Sequence, residues 1–162
     1  MTSLRQSKGQ IRFVVEGADE RLVAYALAVE TIFAELRAII GQLSGTLILL
    51  QTRRAHDLGD LPELVRDRRD RAVECIDRLN SPGSRLADRG RLNQAVAHID
   101  AAMVALCQMR RDRTHEQIVS VSTRLTAAYR LMQDICDHRI GLTMVDIGNA
   151  CCTCGKNIRL NT

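Results

Sequence analysis

The chain has 162 residues, 46% of them hydrophobic, and a formal net charge of +4. This length fits one domain, and this share of hydrophobic residues is enough for a single core. Aromatic residues make up only 2% of the chain and tryptophan is absent, so the core must consist mainly of aliphatic side chains, which favour helices over a β-sandwich. The composition therefore predicts an all-α protein.

The basic residues are almost all arginine, which is typical of a GC-rich coding sequence and favours a bacterial source. Residues 66–71 read "RDRRDR", and such mixed signs on a helix give salt-bridged solvent faces rather than a phosphate-binding stripe. The chain also lacks the interleaved aromatic residues on which single-stranded nucleic acids stack. We therefore predict no nucleic-acid binding, and we expect Arg68, Arg69, Arg110 and Arg111 to face solvent.

The N-terminal residues 1–17 are predicted to form an extended arm. Ile11–Val15 read "IRFVV", which would also suit a short strand, but no second strand-like run is present to pair with it. Met1–Gln10 are polar, and charged residues interrupt the apolar run that begins at Leu22, which indicates neither a signal peptide nor a membrane span. We expect a cytoplasmic protein whose six cysteines are free thiols or metal ligands.

An unbroken heptad seam begins at Leu22. Apolar residues recur there at alternating spacings of four and three, namely at Leu22, Ala26, Val29, Phe33, Leu36, Ile40, Leu43, Leu47 and Leu50. This spacing predicts a coiled-coil-like helix over about residues 18–54, on the order of 55 Å long. Gly41 and Gly45 are expected to mark a close helix approach or a bend. Because the seam is longer than the next helix can cover, we expect a second chain to complete the core.

A second helix is predicted from the stretch Asp60–Glu63, which offers a cap, an early proline and a glutamate able to reach back. Arg68 and Arg69 interrupt its apolar seam, so we expect its early turns to pack loosely or to lie at a bundle end. The turn-forming stretch Asn80–Gly83 ends it.

The third and fourth helices carry seams that are one residue out of phase. Thr114 and Gln117 form a capping-box pattern at the break, although one bent helix would also fit because no glycine or proline is present there. Residues 18–147 are therefore predicted to form an antiparallel four-helix bundle with coiled-coil-like heptad seams.

No catalytic residue is predicted from spacing. Di-iron bundles need Glu-x-x-His pairs, and none of the four histidines has a glutamate three residues before it. His98 lies beside the seam residue Ile99, which is more typical of a seam-flanking histidine that makes one hydrogen bond than of a phosphotransfer site. The chain contains no glycine-rich phosphate loop.

Three cysteines lie within the predicted helices. Cys75 and Cys107 are next to seam residues and are interpreted as small buried hydrophobic side chains. The same interpretation as a buried hydrophobic side chain is weaker for Cys136, because the polar residues Asp137 and His138 follow it directly.

The C-terminal tail, residues 148–162, begins "GNACCTCGK". Cys151 and Cys154 form a C-x-x-C pair followed by glycine, which is half of a zinc-ribbon-like site, and Cys152 lies between them. A structural metal needs four ligands, so Cys136, His138 or a second chain would have to supply the others. A fourth helix continuing through residue 141 would place residues 136, 140, 144, 147, 151 and 154 on one face.

We therefore predict a self-associating helical-bundle interaction or regulatory protein, a homodimer whose terminal cysteines bind zinc or an iron–sulfur cluster. It would have a protein partner and no membrane contact. One alternative is a metal-dependent or redox enzyme with its centre in the bundle, and another is a metal-free helical adaptor or chaperone. For the tail alone, an inert segment or redox-active or lipid-modified thiols remain alternatives.

Overall fold

The computed structural model describes residues 20–52, 59–109 and 114–144, and this part of the chain is helical apart from its connections. Its helices are α1 (Glu20–Gln51), α2 (Leu61–Asp77), α3 (Leu86–Gln108) and α4 (His115–Gln133), with short 3₁₀ turns at Gly83–Arg85 and His138–Ile140. The four helices pack against one another around one core. Among the described helices, none has the length and apolar character that crossing a membrane requires. The predicted arm and tail lie outside the described residues.

Helix α1 contacts α2, α3, α4 and the 3₁₀ turn that follows α4. All the predicted seam residues from Ala26 to Leu50 are buried, and so are Tyr25, Ile32 and Ile39. The buried face is therefore wider than a heptad stripe. The chain's own elements cover the seam, so the seam itself gives no reason to expect a second chain.

Gly41 and Gly45 lie on the exposed side of α1, and the helix continues through both of them. A Cβ atom added at either glycine would meet no neighbouring atom of the described chain within 4 Å. Within the described chain neither glycine marks a close helix approach, and the alternative expectation of a bend stays a prediction.

Helix α2 begins after Asp60 and carries proline in its first turn, as predicted, but the Asp60 side chain makes no capping hydrogen bond. Its early turns are not loose, because Val65 is buried and Arg68 donates a hydrogen bond to Glu35 of α1 at 3.0 Å. The bonds from Arg71 and Arg68 hold the pKa of Glu35 below its ordinary value. The expectation of loose packing was therefore wrong at Val65 and Arg68, while the alternative that these turns lie at a bundle end stays a prediction.

The two arginines that interrupt the α2 seam form ion pairs between helices. Arg69 donates to Asp100 of α3, with its Nη2 at 3.2 Å from the carboxylate. Arg68 and Arg69 are half-buried rather than simply solvent-facing. Arg110 and Arg111 lie outside the described residues.

The break between α3 and α4 is confirmed. The Thr114 hydroxyl accepts a hydrogen bond from the Gln117 backbone N–H at 3.2 Å, and the Gln117 side chain accepts one from the Thr114 backbone N–H at 3.2 Å. This capping box gives α4 its own N-terminus. The two segments are separate helices.

Helix α4 ends at Gln133 and does not continue through residue 141. The following residues form a 3₁₀ turn that Gly141 closes in the left-handed conformation, with φ of 77°. Cys136 and Met144 therefore do not lie on one face of a continuous α4, and the predicted stripe that would lead into the tail does not form on this helix.

Candidate functional site

The C-terminal turn, residues 136–144, is the described segment that leads into the cysteine tail. Its two arms are joined by backbone hydrogen bonds between Asp137 and Leu142, at 2.9 and 3.1 Å. Leu142 and the preceding Ile135 are both buried in the core. Since the turn also contacts α1, the last described residues of the chain are anchored on the bundle.

Arg85 fastens this turn to the start of α3. Its guanidinium donates a hydrogen bond to the Asp137 carboxylate and lies 3.7 Å from the Asp88 carboxylate. Asp137 also accepts bonds from Arg139, at 3.0 and 2.9 Å. These bonds, first those from Arg139, hold the pKa of Asp137 far below its ordinary value, so Asp137 is ionised at neutral pH.

Asp88 is the buried charged residue of the described chain, with 3% of its surface exposed. It accepts a hydrogen bond from the Tyr25 hydroxyl at 2.6 Å and another from Arg91 at 2.7 Å. Burial, and then the bond to Asp88, raise the pKa of Tyr25 well above its ordinary value. The phenol therefore remains a neutral donor, and the pair ties α1 to α3.

Sequence reasoning missed this network of Tyr25, Asp88, Arg85 and Asp137. One signal was present in the sequence, because Asp88 lies four residues before the core residue Leu92 and so occupies a core-facing position of α3. An acidic residue at such a position needs buried donors. The network satisfies that need, and its role is to hold the turn and two helices together.

Two predicted metal ligands fall within the described residues. Cys136 is half-buried, and its thiol donates to the Met132 carbonyl at 3.6 Å. Burial, and then the charge of Glu30, raise the pKa of the Cys136 thiol, which opposes the thiolate form that a metal requires. His138 is exposed on the C-terminal turn.

The metal prediction rests on residues that the structure does not describe. Within residues 20–52, 59–109 and 114–144, no group of three or more histidine, cysteine, aspartate or glutamate side chains is arranged to hold a metal. Cys151, Cys152 and Cys154 lie outside these ranges. The thiolate site therefore stays a prediction.

The two remaining helical cysteines differ from each other. Cys75 is half-buried, whereas Cys107 is exposed on α3, so the interpretation of Cys107 as a buried hydrophobic side chain was wrong. His98 is half-buried and lines a shallow groove of about 630 Å³ between α3 and α4. No phosphotransfer role follows from that position.

The exposed side of α1 carries a second repeat with heptad spacing, which we name the outer seam. Its members recur at alternating spacings of three and four, at Ala24, Leu27, Thr31, Ala34, Ala38, Gly41, Gly45, Ile48 and Thr52. Leu27 is 67% exposed and Ile48 is 58% exposed, with Val23 and Leu49 exposed beside them. A solvent-facing helix surface normally carries charges, yet no member of this seam is charged.

Two described features are therefore candidates for a functional site: the outer seam of α1 and the anchored C-terminal turn. No protein-family model, curated protein or solved structure matches this chain.

Proposed function

We propose that this protein is a self-associating helical interaction protein that binds a metal ion or iron–sulfur cluster through thiolates of its C-terminal tail. The observation that carries the proposal is the outer seam. Helix α1 carries an uncharged seam opposite its buried face, with exposed Leu27 and Ile48 near the two ends and small or uncharged polar residues between them. Exposed aliphatic side chains on such an uncharged face support a protein-binding surface there.

The anchored C-terminal turn supports the metal part of the proposal. The ion pairs of Arg85 and the buried Leu142 hold the chain on the bundle up to the last described residues. The chain is therefore fixed on the bundle within seven residues of Cys151, and such a tether raises the effective concentration of the thiols near the bundle. Cys151 and Cys154 are the principal ligands in this proposal.

Cys152, Cys136 and His138 are the additional candidate ligands. Cys136 is the weakest of them, because its thiol is half-buried and already donates to a backbone carbonyl. Ligation by Cys136 would need that proton to be lost against the effect of burial on its pKa. Zinc and iron–sulfur clusters both accept the thiolate set of the tail.

The test is a joint measurement of mass and metal content on untagged protein purified under reducing, oxygen-free conditions. Light scattering should give a mass that rises with concentration from 18.1 kDa towards twice that value. Elemental analysis should find zinc or iron, at no less than about one ion per two chains for a shared four-ligand site. A monomer at all concentrations without metal would contradict the proposal, and a metal-free dimer would favour the adaptor alternative.

A further inference from the structure

The outer seam is complementary to itself when two copies run in opposite directions. We infer that it binds a second copy of this chain in antiparallel orientation, with a two-fold axis beside Leu36, so that Leu27 of each chain packs against Gly45 of the other. This inference rests on the self-association proposed above and specifies its surface, direction and register.

Side-chain size is the first argument for this register. In this register, each seam residue of one chain faces one seam residue of the other, and each such pair forms a layer. Three layers pair a larger side chain with a smaller one, namely Leu27 with Gly45, Ile48 with Ala24, and Thr31 with Gly41. The layer nearest the axis pairs Ala34 with Ala38. No layer contains two large side chains, so the two helices can stay close along their whole length. A parallel pair would instead place leucine on leucine and glycine on glycine, so the separation would have to vary along the seam.

The extent of overlap is the second argument. This register superposes α1, Glu20–Gln51, on its copy over the full helix, whereas a shift by one heptad would leave two turns without a partner at each end. The seam from Ala24 to Thr52 is about 42 Å long, and a contact strip about 10 Å wide would cover roughly 420 Å² on each chain. The pair then buries roughly 840 Å² in total, which is below the size of stable specific interfaces, so the dimer should be weak and concentration-dependent.

Distances between spin labels test the direction and the register. Single cysteines at Ser44, Thr46 and Leu49, beside the seam, would be labelled in a chain whose native cysteines are replaced by serine. The axial separation between the two labels should be about 24, 30 and 39 Å, rising about 3 Å per residue away from the axis. Labels at Val23 should show the same axial separation as labels at Leu49, about 39 Å, because both positions are equally far from the axis.

The outcomes separate the two proposals. A dimer whose label distances stay short and equal along the helix would be parallel, and a dimer without measurable coupling at these sites would use another surface. Either result would overturn the register and leave the proposed self-association in place. A monomer at all concentrations would overturn both.

A second experiment uses three variants that keep the native cysteines. Gly45→Leu has room in the single chain, since a Cβ there meets no atom within 4 Å, but in the dimer it would set leucine against Leu27 and force the helices apart. We expect the dimer dissociation constant to rise about tenfold or more, and the double variant Leu27→Ala/Gly45→Leu to reverse most of this. Gly90→Leu on α3, which has equal room, is the control and should leave the constant unchanged. An unchanged constant in Gly45→Leu would overturn the register.

Discussion

Replacing Tyr25 with phenylalanine tests the buried link between α1 and α3. The substitution keeps the ring, which is 2% exposed, and removes only the hydroxyl that donates to Asp88 at 2.6 Å. A hydrogen bond to a buried charged group contributes about 1.5–3 kcal/mol to stability. Because Asp88 keeps its bond from Arg91 at 2.7 Å, we expect a loss near the lower end of that range, about 2 kcal/mol at pH 7.

The same variant should change how stability depends on pH. Burial and the bond to Asp88 raise the pKa of Tyr25 in the folded chain, whereas an unfolded tyrosine titrates near about 10. The contribution of Tyr25 is therefore complete below about pH 10, and above it falls by about 1.4 kcal/mol per pH unit, because the unfolded state loses its proton first. The gap between the wild type and Tyr25→Phe should narrow over that range.

The assay is urea unfolding followed by circular dichroism, from pH 7 to 11, on the wild type, Tyr25→Phe and Tyr129→Phe. The control Tyr129→Phe retains Tyr25 and should retain the part of the alkaline slope that Tyr25 causes. The reasoning would be refuted if Tyr25→Phe lost less than about 0.5 kcal/mol at pH 7, which is the ordinary range for a substitution without structural effect. An alkaline slope equal to that of the wild type would refute it as well.

Three further predictions concern the C-terminal turn and the tail. Gly141→Ala should lower the free energy of unfolding by about 1 kcal/mol in urea titrations, because Gly141 has a positive φ of 77° that alanine adopts with strain. Asp137→Asn should destabilise the chain at pH 7, and this difference should shrink steadily as the pH falls below about 4, because the unfolded carboxyl then takes up a proton while the folded Asp137, with its much lower pKa, stays ionised. Cys151→Ser and Cys154→Ser should each release the bound metal in elemental analysis without changing the helical circular dichroism signal.

The helix boundaries that depend on local chemistry were predictable from the sequence. Thr114 and Gln117 cap α4 as expected, and the turn residues before Gly83 separate α2 from α3. The end of α4 at Gln133 was not predictable, since the next glycine is Gly141. There the chain leaves the helix because its continuation is anchored by Leu142 in the core and by the bond between Arg85 and Asp137.

The site depends on contacts between distant parts of the chain. Tyr25 and Asp88 are 63 residues apart, so no spacing rule connects them. The outer seam is visible in the sequence as a second repeat, but α1 carries apolar residues on both sides, and only the fold shows which of the two repeats is buried. The spacing of the tail cysteines indicates thiolate metal ligands, but it does not indicate which residues would supply the remaining ligands.

The most direct test of the account compares two leucines of nearly equal exposure by sedimentation equilibrium. Leu27 on the outer seam is 67% exposed, and Leu86 at the start of α3 is 69% exposed, so glutamate at either position leaves the core of the single chain intact. Leu27→Glu should stay at the monomer mass of 18.1 kDa, because the dimer would bury its charge against Gly45, while Leu86→Glu should dimerise like the wild type. Equal dimerisation of both variants would contradict the assignment of the outer seam as the interface.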